Sequence, residues 1–140
     1  MKLRLFLSAI LIALVSSTMI RAADTALEKE MKVVKNAFNQ LKQQAADPAQ
    51  NTSSLALVAK IRAAAKSASS LEPEKTADLP EKDRAAFVAD YKDEMKTFIA
   101  NLDKLAAALK AGNNADAVKI VSDLKTMQRE AHKEFRKSED

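Results

Sequence analysis

An all-α domain, an up-down-up-down antiparallel four-helix bundle, is predicted by three features of the chain. Apolar residues recur at alternating spacings of three and four over four long stretches rich in alanine, leucine and lysine. The chain's one glycine (Gly112) and three prolines (Pro48, Pro73, Pro80) all fall between those stretches. No segment shows the alternation with period two that a half-buried strand requires. The intervals between stretches, about 6, 12 and 3 residues, favour antiparallel neighbours with shallow crossing angles.

The first helix is expected to start at a capping box, Thr25-Ala26-Leu27-Glu28, in which hydroxyl and carboxylate each satisfy a free backbone N–H. Its inward stripe is Leu27, Met31, Val34, Phe38, Leu41 and Ala45, and it ends near Asp47-Pro48. The second is expected to begin near Ser53 and Ser54, to face inward with Leu57, Ile61, Ala64, Ala68 and Leu71, and to stop at Pro73. A polar connection, Glu72 to Asp83, leads to a third helix with the stripe Val88, Tyr91, Met95, Phe98, Leu102, Leu105 and Leu109. Gly112 supplies a left-handed C-terminal residue, and Asn113 or Asn114 caps the fourth helix. That helix turns Ala117, Val121, Leu124, Gln128, Ala131 and Phe135 inward, with His132 beside them.

Ahead of the bundle, Met1-Lys2-Leu3-Arg4 carries positive charge, Leu5 to Val15 is apolar, and Ser16, Ser17 and Thr18 follow. This is the pattern of a secretory signal peptide, expected over residues 1–22, with Ala22 or Ala23 at the cut and Arg21 departing from a strict small-residue site. The apolar run is short for a membrane span. Cleavage leaves one domain over residues 23–140, expected in the periplasm, off the membrane and as a monomer. It also removes Lys2, Arg4 and Arg21 and no acidic residue, leaving 20 basic against 19 acidic residues, a formal +1. With so little net charge and 4% aromatic residues, nucleic-acid binding is excluded. The absence of cysteine excludes disulfides, thiolate metal sites, iron–sulfur clusters and covalent haem attachment.

His132 is the only histidine. In the expected topology it lies about five residues from the end of the fourth helix, and Met31 lies about six residues into the first, so both sit roughly 8–9 Å from the same end of the bundle. A histidine nitrogen and a methionine sulfur are a known axial pair for six-coordinate haem iron. Each also has an ordinary explanation, Met31 as core filler and His132 as a complement to the negative end of a helix dipole. The residues by themselves leave both readings open: a haem-binding electron carrier, or a haem-free exported bundle with a structural or interaction role. No catalytic constellation accompanies them, neither a nucleophile with its base, nor a di-iron Glu-x-x-His pair, nor a phosphate loop, and no enzyme activity is expected.

Leu27-Glu28-x-x-Met31, the block Ile61-Arg62-Ala63-Ala64-Ala65, and Arg129-x-Ala131-His132-x-x-Phe135-Arg136 resemble the corresponding segments of the soluble periplasmic cytochrome b562 family. The similarity covers nearly all of the chain after the leader, runs without a gap from about Tyr91 to Arg136, and is loose from Asp47 to Asp83, where loop length differs. The resemblance implies one non-covalent b-type haem, with Met31 and His132 as axial ligands to iron, Arg136 near a propionate, and electron transfer to a redox partner protein. Arg129, three residues before the histidine, is expected to be solvated surface. Leu27, Val34, Ile61, Phe98 and Ala131 are the expected apolar lining. Where the family packs aromatic rings near haem this chain has Tyr91 and Met95, which introduces a second sulfur. Counted from a helix start near Asp83, Met95 lies about 18 Å along its helix, deeper than His132, which favours Met31 as the ligand. Met127 shares a helix with His132 and cannot face it across a haem.

Overall fold

The computed structural model describes residues 24–137, and the expected signal peptide with its cleavage site lies outside them. The described chain forms four helices, α1 (Ala26–Gln44), α2 (Asn51–Ser69), α3 (Glu81–Lys110) and α4 (Asn114–Phe135), with short 3-10 turns at Pro48–Gln50 and Glu74–Asp78. There is no strand among the described residues.

Two of the helix starts follow their local chemistry as read from the sequence. At α1 the capping box forms in full: the Glu28 N–H donates to Thr25 Oγ1 at 3.2 Å and the Thr25 N–H donates to Glu28 Oε2 at 2.8 Å. At α4 the Asp116 N–H donates to the side chain of Asn113, which makes Asn113 rather than Asn114 the cap. The three-residue link before it depends on Gly112, whose φ of 70° lies in the left-handed region. There the Asn113 N–H reaches back to the Ala108 carbonyl and the Gly112 N–H to Leu109, closing α3 with a Schellman motif.

The other two starts differ from expectation. α2 begins at Asn51, not near Ser53 and Ser54, because Asp47 accepts the Ala49 N–H at 2.9 Å and launches a 3-10 turn that feeds the helix early. Ser54 is therefore a turn inside α2 and fully buried, and the inward face is Ser54, Val58, Ile61, Ala64, Ala65 and Ala68, with Leu57 and Leu71 of the expected stripe only half-buried. α3 begins at Glu81, and its first turn and a half, residues 81–86, is wholly exposed. It overhangs the end of the bundle.

The antiparallel arrangement is visible in the hydrogen bonds at the two ends. At one, Asn51 donates to the Leu109 carbonyl (3.1 Å) and to Asn114 Oδ1 (3.2 Å), while Asn114 donates to the Ala45 carbonyl (2.8 Å) and to Asn51 Oδ1 (2.7 Å). This amide pair joins the end of α1, the start of α2, the end of α3 and the start of α4. At the other end the Tyr91 hydroxyl donates to the Ala68 carbonyl at 2.9 Å, and Lys75 Nζ donates to the Glu134 carbonyl at 2.5 Å.

Between these ends Phe38, Leu41, Val58, Ile61, Leu102, Leu105, Leu109, Val121 and Leu124 form the core. Each such side chain contributes about 1.5–3 kcal/mol by leaving water. α1 packs closely on α2, α2 on α3 and α3 on α4, but no comparable seam joins α1 to α4. Small residues on the inner face of α2, Ala64, Ala65 and Ala68, let its neighbours approach closely, and the seam left open lies on the opposite side of the bundle.

Candidate functional site

The open α1–α4 seam widens into a cavity of about 430 Å³ at the end where α1 starts and α4 stops. That volume lies in the range of small-molecule and cofactor sites, roughly 300–1,000 Å³. α1 contributes Leu27, Met31, Val34 and Lys35; α3 contributes Tyr91, Met95 and Phe98; α4 contributes Gln128, Ala131, His132 and Phe135. Pro73 and Glu74, from the link between α2 and α3, also line it, but α2 itself does not. Ile61, expected in the lining, is instead fully buried in the core.

The cavity brings together all three expected site residues, Met31, His132 and Arg136. Arg129 is exposed and lies outside the lining. Met95 lines the same cavity, nine-tenths buried, so its depth does not separate it from Met31 as the count along α3 had suggested. The count began at a helix start that overhangs the bundle, and it therefore overstated how deep Met95 sits. Met127 also lines the cavity, and its sulfur accepts a hydrogen bond from Asn101 Nδ2 at 3.4 Å.

Three features of the site follow from its surroundings. Burial of its cavity side, with the positive charges of Arg136 and Lys35 nearby, holds the His132 imidazole below its ordinary pKa and so in the neutral form that can bind a metal. Tyr91 is pushed up to about 12 by burial and keeps its proton, which it donates to the Ala68 carbonyl. Phe135 packs against both neighbours on α3, edge-on to Tyr91 at 5.5 Å between ring centroids and tilted against Phe87 at 5.2 Å. Tyr91 and Phe135 line the cavity one turn from His132, and Phe87 packs behind Phe135.

Lys35 was not singled out in the sequence, although its position four residues after Met31 puts it on the same face of α1. Val88, expected on the inward stripe of α3, is half-buried, as is Phe87 beside it, which contacts Phe135. The site thus offers a thioether and a neutral imidazole from helices that do not close on each other, with apolar walls between them. Charged side chains of both signs complete the lining, Lys32, Lys35, Arg136 and Lys137 with Glu28, Glu74 and Glu94. Such a space suits a flat apolar macrocycle that carries a metal and has anionic edge groups.

The family model for cytochrome b562 matches residues 26–136. The chain belongs to the cytochrome b562 family. The match runs from the first residue of α1 to the residue after α4, so it includes every helix and both expected ligands. The family is one of b-type cytochromes, and membership implies haem binding in general. No curated protein sequence matches the chain. No described helix is long and apolar enough to cross a membrane.

Proposed function

We propose that this cytochrome b562 family member holds one non-covalent b-type haem in the α1–α4 cavity, with Met31 and His132 as its axial ligands, and that it carries electrons in the periplasm. The observation that supports this most directly is that the only histidine and a methionine from the facing helix line one cavity of cofactor size. When bound, haem supplies a one-electron iron couple. The chain's part is to bind, orient and desolvate it.

His132 presents a neutral ring nitrogen because burial and the Arg136 and Lys35 charges disfavour its protonation. Met31 presents a soft sulfur, which favours the ferrous state and raises the potential relative to a second nitrogen ligand. Leu27, Val34, Phe98 and Ala131 keep water from the metal. Arg136, four residues after His132 on the same side of α4, is placed for a propionate at the mouth, with Lys35 on the opposing helix. Met31 is preferred to Met95 on a packing argument. α3 and α4 are closely packed, leaving little room for a macrocycle between Met95 and His132, whereas α1 and α4 stand apart.

The test is the visible spectrum of haem-reconstituted protein. A low-spin spectrum that sharpens on reduction is expected. Absence of a protein-bound Soret band would favour the haem-free bundle instead, and a high-spin spectrum would overturn ligation by the Met31 and His132 pair. Met31→Ala should retain haem on His132, move the iron toward five-coordinate high-spin and lower the potential. If Met95→Ala does this and Met31→Ala does not, the ligand assignment is wrong. Haem that binds only the folded chain should also raise its stability, by about 4 kcal/mol at a thousandfold excess over Kd.

A further inference from the structure

The leader aside, the chain has three methionines, Met31, Met95 and Met127, and one histidine, and all four line the one cavity. Haem takes one axial ligand on each face, so at most one of these thioethers can pair with His132. The others are conspicuous. In an otherwise leucine- and alanine-rich bundle, methionines from α1, α3 and α4 line the same cavity as the sole imidazole. Among the described residues there is no group of three or more His, Cys, Asp or Glu able to hold a metal, so nothing in the fold offers a hard cation a carboxylate cage.

We propose that this cavity, when it holds no haem, binds one soft monovalent cation, copper(I) or silver(I), on the thioethers of Met31 and Met95 and the imidazole of His132. Thioether sulfur selects soft cations over zinc, magnesium or calcium, and imidazole is a compatible third ligand. Met31 is half-buried and His132 exposed, so a cation entering by the mouth meets them first, with the buried Met95 behind. Met127 is left out of the ligand set because its sulfur is engaged by the Asn101 amide. Haem and this cation share Met31 and His132, so each excludes the other.

Silver(I), which is stable in air, is the probe, titrated in chloride-free buffer into haem-free chain whose helix content has been checked by circular dichroism. With methyl-labelled methionine, one equivalent of silver is expected to shift the Met31 and Met95 methyl signals and the His132 ring signals together, and to leave Met127 in place. Met95→Leu conserves volume in the core. It should weaken silver binding by at least about tenfold, a loss of about 1.4 kcal/mol. The parent chain, reconstituted with haem and scored separately by its low-spin spectrum, tells failure of the haem ligands from loss of silver binding. Haem-loaded protein should take up no silver in this cavity. The proposal is overturned if silver does not bind, if Met95→Leu binds it as tightly as the parent, if Met127 shifts in place of Met95, or if haem-loaded protein binds it equally well.

Discussion

Replacing Tyr91 by phenylalanine removes one oxygen from the cavity floor and tests whether the end of α2 is tied to α3 through that atom. The hydroxyl is buried and donates to the Ala68 carbonyl at 2.9 Å. That carbonyl also accepts the Leu71 N–H at 3.0 Å, so it keeps a partner when the phenol is gone. The loss should therefore be that of one net hydrogen bond, about 1 kcal/mol at pH 7, without the larger penalty of an orphaned acceptor. Ionisation adds a second, pH-dependent effect. The folded-state pKa, about 12, lies above the ordinary value of 10.0, so the fold holds the phenol proton more tightly than the unfolded chain does. Stability from this group is complete below pH 10, is lost as pH rises toward 12, and has fallen by about 1.4 kcal/mol at pH 11. Phenylalanine has no such dependence. Urea melts of haem-free parent and Tyr91→Phe should show the parent more stable at neutral pH and the order reversing between about pH 10.5 and 11, where the two effects cancel. A stability difference that stays constant from pH 7 to 11 would show that the phenol is not held protonated by burial. A variant more stable than the parent at pH 7 would refute the hydrogen-bond reasoning.

Haem affinity should fall with acid later than an ordinary histidine would allow, because the neutral form of His132 persists below its usual pKa of 6.5; once pH drops below the lowered value the loss should approach about tenfold per pH unit, read by spectral titration. The same shift means the fold binds fewer protons than the unfolded chain, so haem-free stability is unaffected by His132 above 6.5 and declines as pH falls through the lowered value. Asn51→Ala and Asn114→Ala should each destabilise the haem-free chain by about 1–3 kcal/mol. Their double mutant should show coupling of about 0.5–3 kcal/mol, since each donates to the other, while the haem spectrum stays unchanged because the pair lies at the far end. Lys75→Ala removes the donor to the Glu134 carbonyl and a cation 6.0 Å from the Phe87 ring centroid, and should raise hydrogen exchange in the last turn of α4 more than elsewhere. Unchanged exchange there would show that the 74–78 turn does not hold that end.

Features confined to one turn of backbone were legible without a fold. The Thr25–Glu28 box, the left-handed Gly112 and the Asn113 cap each involve residues within three or four positions, and the inward stripes of α1 and α4 follow from helical period alone. Period says which face turns inward; it does not say how helices are offset along their axes or how far apart they stand. Hence Ile61, Ala64 and Ala68 of the expected α2 stripe are buried, but packing widens the buried face to Ser54, Val58 and Ala65 and leaves Leu57 at its edge, and the overhang of α3 leaves Met95 in the cavity at the ligand end. The sequence pointed to Met31 and His132 as a pair. That they line one cavity depends on the α1–α4 gap, which lies across the bundle from the side where the small alanines of α2 let its neighbours approach. Ile61 is in the core and not at the site for the same reason: the bundle closes on its side and opens on the other, and that choice belongs to the packing of all four helices at once.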